Sequence, residues 1–339
     1  MNSKTLINPY WSSMDYTLPI RLVIGWTYFS AFWRRLILEN KLMMDEAGYI
    51  GEKFNHFLPH ALGIKPIIEY LVTHPEALWY AMVIFTIVEA IVGLCMMLGL
   101  FTRLAALGTF MLAMGILLGS GWIGTTCLDE WQIGVLGIAC GLAVFLSGSQ
   151  RYALDAYLIN RKYKIAGLKI FPYLASGPIS KAGLWNRLLI LGSIGVFSLT
   201  LFTNQHFHGG VFGKLHNKSV SPELELSQPL WDEDTLVFQV HRTEGADVYG
   251  SFLIGITLTD ATGQTLQHWG MEDLANFKSE NIHNYYVSKV KTGAHSLLIP
   301  LGARADLRLQ LSAKQYRSMA SHVILTDISG KTWQLRVNN

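Results

Sequence analysis

From position 121 to position 131 the chain reads Gly121-Trp122-Ile123-Gly124-Thr125-Thr126-Cys127-Leu128-Asp129-Glu130-Trp131. A thiol, two carboxylates and two indoles share this one stretch. As a thiolate, Cys127 is a nucleophile and a redox group, and Asp129 or Glu130 can hand protons to a reacting oxygen. The same residues also suit structure: Cys127 as a small buried hydrophobe, the acids as first-turn partners of a helix dipole, Trp122 and Trp131 as membrane-interface anchors. A second feature is Arg34-Arg35 at the end of an apolar run. Adjacent guanidiniums match an oxyanion, and they equally well reach toward lipid headgroups. Lys53 and His60 follow closely enough to join an anion site. Glu89 is the only charge inside another apolar run. A carboxyl at such depth is costly and by default functional; it relays a proton or pairs with an arginine such as Arg21 or Arg103. Further on, His206, His208 and His216 lie in one short stretch with Gly209, Gly210, Gly213 and Lys214. The histidine spacing matches no strong zinc pattern, so no metal is expected. The glycines can form a backbone anion cradle beside Lys214.

The elements that must position these groups follow from composition. The chain has 339 residues, half of them hydrophobic and only 15% charged, with a net charge of +3. That excludes a disordered chain and a nucleic-acid footprint, and it argues against an ordinary soluble enzyme. Three cysteines exclude a disulfide scaffold. Five apolar runs are candidate membrane spans: Leu18–Ile37, Leu78–Phe101, Leu104–Leu118, Trp131–Leu146 and Leu188–Thr203. Spanning takes about 20 residues as helix, so the last three are expected to extend past these limits. The expected architecture is an α-helical membrane bundle of about five transmembrane helices, followed by an all-β, sandwich-like extracytoplasmic domain.

Basic residues set the orientation. The connector Ser147–Arg187 carries Arg151, Arg161, Lys162, Lys164, Lys169, Lys181 and Arg187 against Asp155 alone. It is expected in the cytoplasm together with the turn Phe101-Thr102-Arg103. The N-terminus is then inside and the tail after Thr203 outside, in a multi-pass protein of the cytoplasmic (inner) membrane. Residues 1–17 lack the basic start and apolar core of a cleaved signal, so the first span is expected to remain as an anchor. All eleven histidines fall on the outer side, and Cys127 is the one cysteine expected there, with Cys95 and Cys140 inside spans. The outer loop 39–77 is semi-apolar over Asn55–Val72 and broken by Pro59 and Pro66, which predicts short interfacial helices. Glycines at four-residue spacing, Gly115 with Gly119 and Gly137 with Gly141, are expected to serve helix packing.

The tail predicts strands over Thr235–His241, Phe252–Thr259, Ser296–Leu301, Leu307–Ser312, Val323–Thr326 and Trp333–Val337, seven or eight in all. Turn residues stand at Asp260-Ala261-Thr262-Gly263 and Asp327-Ile328-Ser329-Gly330. The expected domains are a four-helix membrane domain over 1–160, a basic linker over 161–187, a fifth span over 188–203 and a β-domain over 204–339. No GxGxxG after a strand, no Walker loop, no CxxCH and no four-cysteine cluster is present. No flavin, haem or metal is expected, and electrons would go directly to a lipid-soluble acceptor.

Residues 15–160 resemble DoxD, the membrane subunit of thiosulfate:quinone oxidoreductase, within the wider DoxX-like group. The matching features are Gly25 with Arg34-Arg35, Glu89 ahead of Gly99-Leu100-Phe101-Thr102-Arg103, and Gly121-Trp122 followed by Thr125-Thr126-Cys127-Leu128-Asp129-Glu130-Trp131. Residues 185–339 resemble the partner subunit DoxA through His208-Gly209-Gly210-Val211 and Lys214-Leu215-His216-Asn217. The resemblance implies a DoxD–DoxA fusion that oxidises two thiosulfates to tetrathionate and reduces a membrane quinone as co-substrate. On this reading Cys127, Asp129 and Glu130 are catalytic. Arg34, Arg35, Lys53, His60, Trp122, His208 and Lys214 bind the sulfur anion, and Trp131, Glu89 and Arg103 serve quinone binding or proton relay. The alternative is a non-catalytic DoxX-like scaffold carrying a β binding module. The expected partners are thiosulfate or a related sulfur anion, a quinone and the lipid bilayer, with room for a homo-oligomer and no nucleic acid.

Overall fold

The computed structural model describes residues 16–44, 46, 48–124, 129–177, 182–248 and 250–337. Cys127 lies outside the described residues.

The helices follow the apolar runs. Helix α1 is Leu18–Phe32, continued by a π-helical segment Trp33–Leu38. Two short helices follow, α2 (Glu52–Phe57) and α3 (Lys65–Thr73). Then come α4 (Pro75–Leu98), α5 (Thr102–Ser120) and α6 (Asp129–Ser147). The connector forms α7 (Leu154–Asn160) and α8 (Phe171–Leu174), and α9 (Ala182–His208) closes the helical part. Among the described residues four helices are long and apolar enough to cross a membrane: α4, α5, α6 and α9. The first expected span falls short as an α-helix because only 15 of its residues are α-helical, against about 20 for a crossing. The last runs to 27 residues, well past the expected Leu188–Thr203.

By its contacts the chain divides into two compact units. The first holds Met1–Ile50, Trp79–Gly121 and Asp129–His216; the second holds Gly51–Leu78, Trp122–Leu128 and Asn217–Asn339. Two loop segments that sequence order places among the spans therefore belong with the tail.

In the first unit, glycines let helices meet backbone to backbone. A Cβ on Gly25 of α1 would stand 2.7 Å from the Gly93 carbonyl oxygen of α4. On α6, a Cβ on Gly137 would stand 2.7 Å from the Ala113 Cβ, and one on Gly141 2.9 Å from the Phe110 nitrogen, both on α5. The Gly137/Gly141 row is thus a packing row, whereas Gly115 meets nothing within 4 Å. The turn before α5 and the connector fold together. Asp155 of α7 is wholly buried. It accepts from the amides of Phe101 (2.8 Å) and Thr102 (3.0 Å) and from the hydroxyls of Thr102 (2.7 Å) and Ser176 (2.9 Å). Gly99 has φ +61°, and a Cβ there would collide with the Arg21 guanidinium. A side chain at 99 would meet both strain and that cation.

The second unit is built on ten strands among the described residues. They are β1 (Glu223–Asp232), β2 (Thr235–Glu244), β3 (Ser251–Asp260), β4 (Thr265–Trp269), β5 (Ile282–Asn284), β6 (Lys291–Thr292), β7 (Leu297–Ile299), β8 (Arg304–Gln310), β9 (Ala320–Asp327) and β10 (Thr332–Arg336). One antiparallel sheet has the order β1-β2-β8-β5. The other has β10-β9-β3-β7-β6, with β4 sharing an edge of β3. Leu236, Phe238, Val240, Leu307 and Leu309 of the first sheet share one core with Leu253, Ile256, Leu258, Val323 and Leu325 of the second. The expected sandwich is present. Strand β1 escaped the pattern because Pro229 interrupts it; as an edge strand with a register shift between Ser227 and Leu230, it tolerates the missing N–H. Helix α2 joins the β-structure through Asn55, which donates to the Gly302 carbonyl (3.2 Å) and accepts from the Ser288 amide (3.1 Å).

Candidate functional site

Within the first unit, Arg35 turns inward. Its Nη1 donates to Glu89 Oε2 at 2.6 Å and to Thr86 Oγ1 at 3.0 Å. The guanidinium lies over the Phe85 ring at 5.8 Å. Arg34 is exposed. Successive residues of the π-helical segment point to different sides, one outward and one inward, so the two arginines do not act as one clamp. This corrects the expectation from their adjacency.

The partner expected for Glu89 is corrected too. Arg21 donates through Nη2 to the Tyr152 carbonyl at 2.8 Å. Arg103 donates to the carbonyls of Phe145 (3.1 Å), Pro172 and Gly177 (3.4 Å), with its guanidinium over Trp185. Both arginines tie down the connector, because carbonyls orphaned at helix ends and turns there need donors. Arg103 therefore does not join Glu89.

Tyr28 of α1 is 4% exposed and packs with Val92 and Leu112. Val92 lies one turn from Glu89 on α4, and a Cβ on Gly137 would stand 3.1 Å from the Tyr28 hydroxyl. Sequence reading missed Tyr28 and Thr86. Thr86 three residues before Glu89 was the readable signal, since that spacing shares a helix face. At the start of α6, Asp129 is exposed and Glu130 half-buried. The Trp131 indole donates to Thr203 Oγ1 at 3.0 Å, joining α6 to α9.

His208 ends α9 and is 1% exposed. Its Nε2 donates to the Gly121 carbonyl at 2.8 Å. His206 stacks on Phe202. The histidines are separated in this way, and among the described residues no group of three or more His, Cys, Asp or Glu converges. Gln205 occupies amides of the glycine-rich turn, its carbonyl taking Gly209 N–H and its Oε1 taking Phe212 N–H. Lys214 is exposed. Among the described residues Arg34 and Lys214 have no carboxylate partner.

In the second unit, Trp122 is wholly buried and its indole donates to the Phe57 carbonyl at 3.2 Å. The indole is packing, neither an interface anchor nor open to a ligand. The His60 ring stands edge-on to it at 4.9 Å. His60 Nε2 and Lys218 Nζ each lie 3.6 Å from Glu244 Oε1. Lys53 pairs with Asp247 at 3.1 Å. The two basic residues expected to join an anion site are thus already matched by carboxylates. Buried Arg242 fixes the loop that carries those acids, donating to the carbonyls of Glu244 and Ala246. Burial pulls its guanidinium down to about 10. Burial first, then Lys53, pushes His56 down to about 4, so it is neutral.

Gly124, three residues before Cys127, is held by the tail. Asn217 Nδ2 donates to its carbonyl at 2.7 Å and Ser219 Oγ at 2.6 Å. Asn217 Oδ1 in turn accepts from the Ser219 amide at 2.9 Å. A peptide gripped in this way is a fixed root for the segment that follows it.

The family model described as TQO small subunit DoxD, where TQO is thiosulfate:quinone oxidoreductase, matches residues 16–201. The chain belongs to the DoxD family. The model described as TQO small subunit DoxA matches residues 207–336. DoxD and DoxA regions are thus fused, and the Asn217–Gly124 bond joins a residue of the DoxA match to one of the DoxD match. No solved structure matches the chain. The family descriptions support an oxidoreductase role with thiosulfate and quinone, carried by a chain with several apolar helices.

Proposed function

We propose that the chain oxidises thiosulfate to tetrathionate and passes the electrons to a bilayer quinone, at the outer face of the cytoplasmic membrane. The single observation that supports this most is the fusion of both TQO subunit families in one chain. In this reading α1 with its π-helical continuation is a fifth crossing, the N-terminus is inside, and the second unit lies outside.

The reaction balances as two thiosulfate dianions, one quinone and two protons giving one tetrathionate dianion and one hydroquinone. Cys127 thiolate adds to the quinone ring. The sulfane sulfur of one thiosulfate attacks the Cys127 sulfur, forming an S–S bond while the hydroquinone leaves with the electron pair. A second thiosulfate attacks the sulfane sulfur just bound and releases tetrathionate and the Cys127 thiolate. Asp129 and Glu130, in the first turn of α6, supply protons to the quinone oxygens. Arg34 and Lys214, exposed cations without carboxylate partners, draw in the dianion. His208 and Trp122 act by holding the backbone rather than by touching substrate. Quinone is a co-substrate, and this route uses no resident metal, flavin or haem.

The test is purified protein in detergent with a water-soluble quinone analogue, a panel of sulfur anions and product identification. Thiosulfate-dependent quinone reduction with tetrathionate as product is expected; no reduction would leave a non-catalytic scaffold. Cys127→Ser is expected to abolish turnover. Full turnover in that variant would remove the thiol from the route and leave direct addition of thiosulfate to the quinone.

A further inference from the structure

We propose that Tyr28, Arg35 and Glu89 form the binding site for the quinone headgroup inside the helical unit. This inference rests on the quinone-reducing reading above and gives it a location. A para-quinone has two carbonyl acceptors and no donor. Its reduced form has two hydroxyl donors. A site serving both states needs donors without acceptors and an acceptor without a donor, in an apolar setting reached from the bilayer.

The cluster supplies such donors, such an acceptor and the apolar setting. Tyr28 is 4% exposed, yet its hydroxyl makes no hydrogen bond among the described residues. A hydroxyl without a partner in an apolar setting is a ready donor for a ligand oxygen. Arg35 bonds only through Nη1 among the described residues, leaving Nε and Nη2 as donors. Among the described residues Glu89 is bonded through Oε2 alone, leaving Oε1 as an acceptor. Phe85 links the groups, packing in the cluster of Tyr28 and lying under the Arg35 guanidinium at 5.8 Å. Phe85, Val92, Leu112 and Ile116 supply apolar walls around Tyr28. Thr86 fixes the site from beneath: its hydroxyl donates to the Met82 carbonyl at 2.7 Å and accepts from Arg35.

The geometry assigns each group a task. The Tyr28 hydroxyl and the open N–H groups of Arg35 donate to the quinone carbonyls, and the guanidinium favours the negative charge that builds on them during reduction. Glu89 Oε1 accepts from a hydroxyl of the quinol. Arg35 stands three residues before the end of the π-helical segment at Leu38, about 5 Å along the axis. Glu89 on α4, Leu112 on α5 and Gly137 on α6 all fall in the middle part of their helices, so the site lies within the bundle, with Arg35 reaching it from the π-helical segment.

The experiment pairs kinetics with photolabelling on the full chain in nanodiscs. An azido-quinone is the probe, with unlabelled quinone as competitor. Label is expected on peptides containing Tyr28 or Glu89 and should be displaced by the competitor. Tyr28→Phe removes one oxygen and is expected to raise the quinone KM about fivefold, the worth of one hydrogen bond, at unchanged thiosulfate KM. Glu89→Gln retains shape and is expected to weaken quinol inhibition more than quinone binding. Label mapping elsewhere, with an unchanged quinone KM in both variants, would overturn the site while leaving thiosulfate oxidation intact. Competitor-sensitive label at the cluster in a protein that turns over no sulfur anion would uphold the site and remove the thiosulfate reading instead.

Discussion

Asn217 donates to the Gly124 carbonyl at 2.7 Å across 93 positions of sequence. Ser219 donates to the same oxygen at 2.6 Å, and its own Oγ accepts from the Gly124 amide at 3.0 Å. Both backbone groups of Gly124 are thus satisfied by the tail. The fused arrangement has a physical use here, since one chain supplies both the peptide and its clamp at fixed stoichiometry.

Removing the clamp should therefore affect activity more than stability. Each buried bond contributes about 1 kcal/mol net. Asn217→Ala is expected to lower stability by about 1–2 kcal/mol and thiosulfate-dependent turnover by at least about tenfold. The checks are a thermal melt and steady-state rates, with iodoacetamide labelling of Cys127 as a third readout. The labelling rate should change, because the segment loses its fixed root. An unchanged labelling rate and full turnover would remove the positioning role.

Arg34 and Lys214 separate substrate capture from structure. Both are exposed and lack a carboxylate partner among the described residues, whereas Lys53 and Arg35 are paired. Arg34→Ala with Lys214→Ala is expected to raise the thiosulfate KM about tenfold while leaving the quinone KM unchanged. The wild-type KM should rise with ionic strength and the variant's should not, because exposed charges are screened over about 8–10 Å. A salt-insensitive wild-type KM would argue against capture by these cations.

His241 makes the second unit acid-sensitive. It is 8% exposed, and burial first, then Arg304 and Lys65, lowers it from 6.5 to about 4. The unfolded chain binds the proton more readily, so the contribution is fully present above pH 6.5, declines as pH falls, and is lost by about pH 4. The linked loss is up to about 3 kcal/mol. Melting temperature measured from pH 7 to pH 4 should fall, and His241→Leu should flatten the decline. Parallel curves for the two proteins would assign the acid effect to other groups, His56 first among them.

Asp155 is the keystone of the turn between α4 and α5. Replacing it with Ala strands the amides of Phe101 and Thr102 and the hydroxyls of Thr102 and Ser176 without their acceptor. The expected loss is about 3–5 kcal/mol, within the range for breaking a buried charged network. Thermal unfolding in detergent reads it. Asp155→Asn, which keeps one acceptor oxygen, should lose less, and equal losses would show that charge rather than acceptor count governs the turn.

The apolar runs and the alternating tail were legible because both signals are local. A run of apolar residues forms a helix in lipid whatever its neighbours, and period-two patterning marks strands whatever sheet they join. Strand β1 was hidden where Pro229 broke that pattern. The resemblance carried by Cys127-Leu128-Asp129-Glu130-Trp131 was equally local, and the DoxD family match agrees with it.

Partnerships were not legible. Arg34 and Arg35 looked like one clamp, yet helical rotation sends one outward and the other to Glu89, 54 positions away. Arg103 looked like a partner for Glu89 and instead satisfies carbonyls of the connector. Composition alone established an oily helical part, a β-structured tail and a store of chemically capable residues. Only tertiary structure decided which donor meets which acceptor, and that the segments 51–78 and 122–128 belong with the tail. The reason is that burial forces every polar group to find a partner in space, and distance along the chain places almost no limit on where that partner lies.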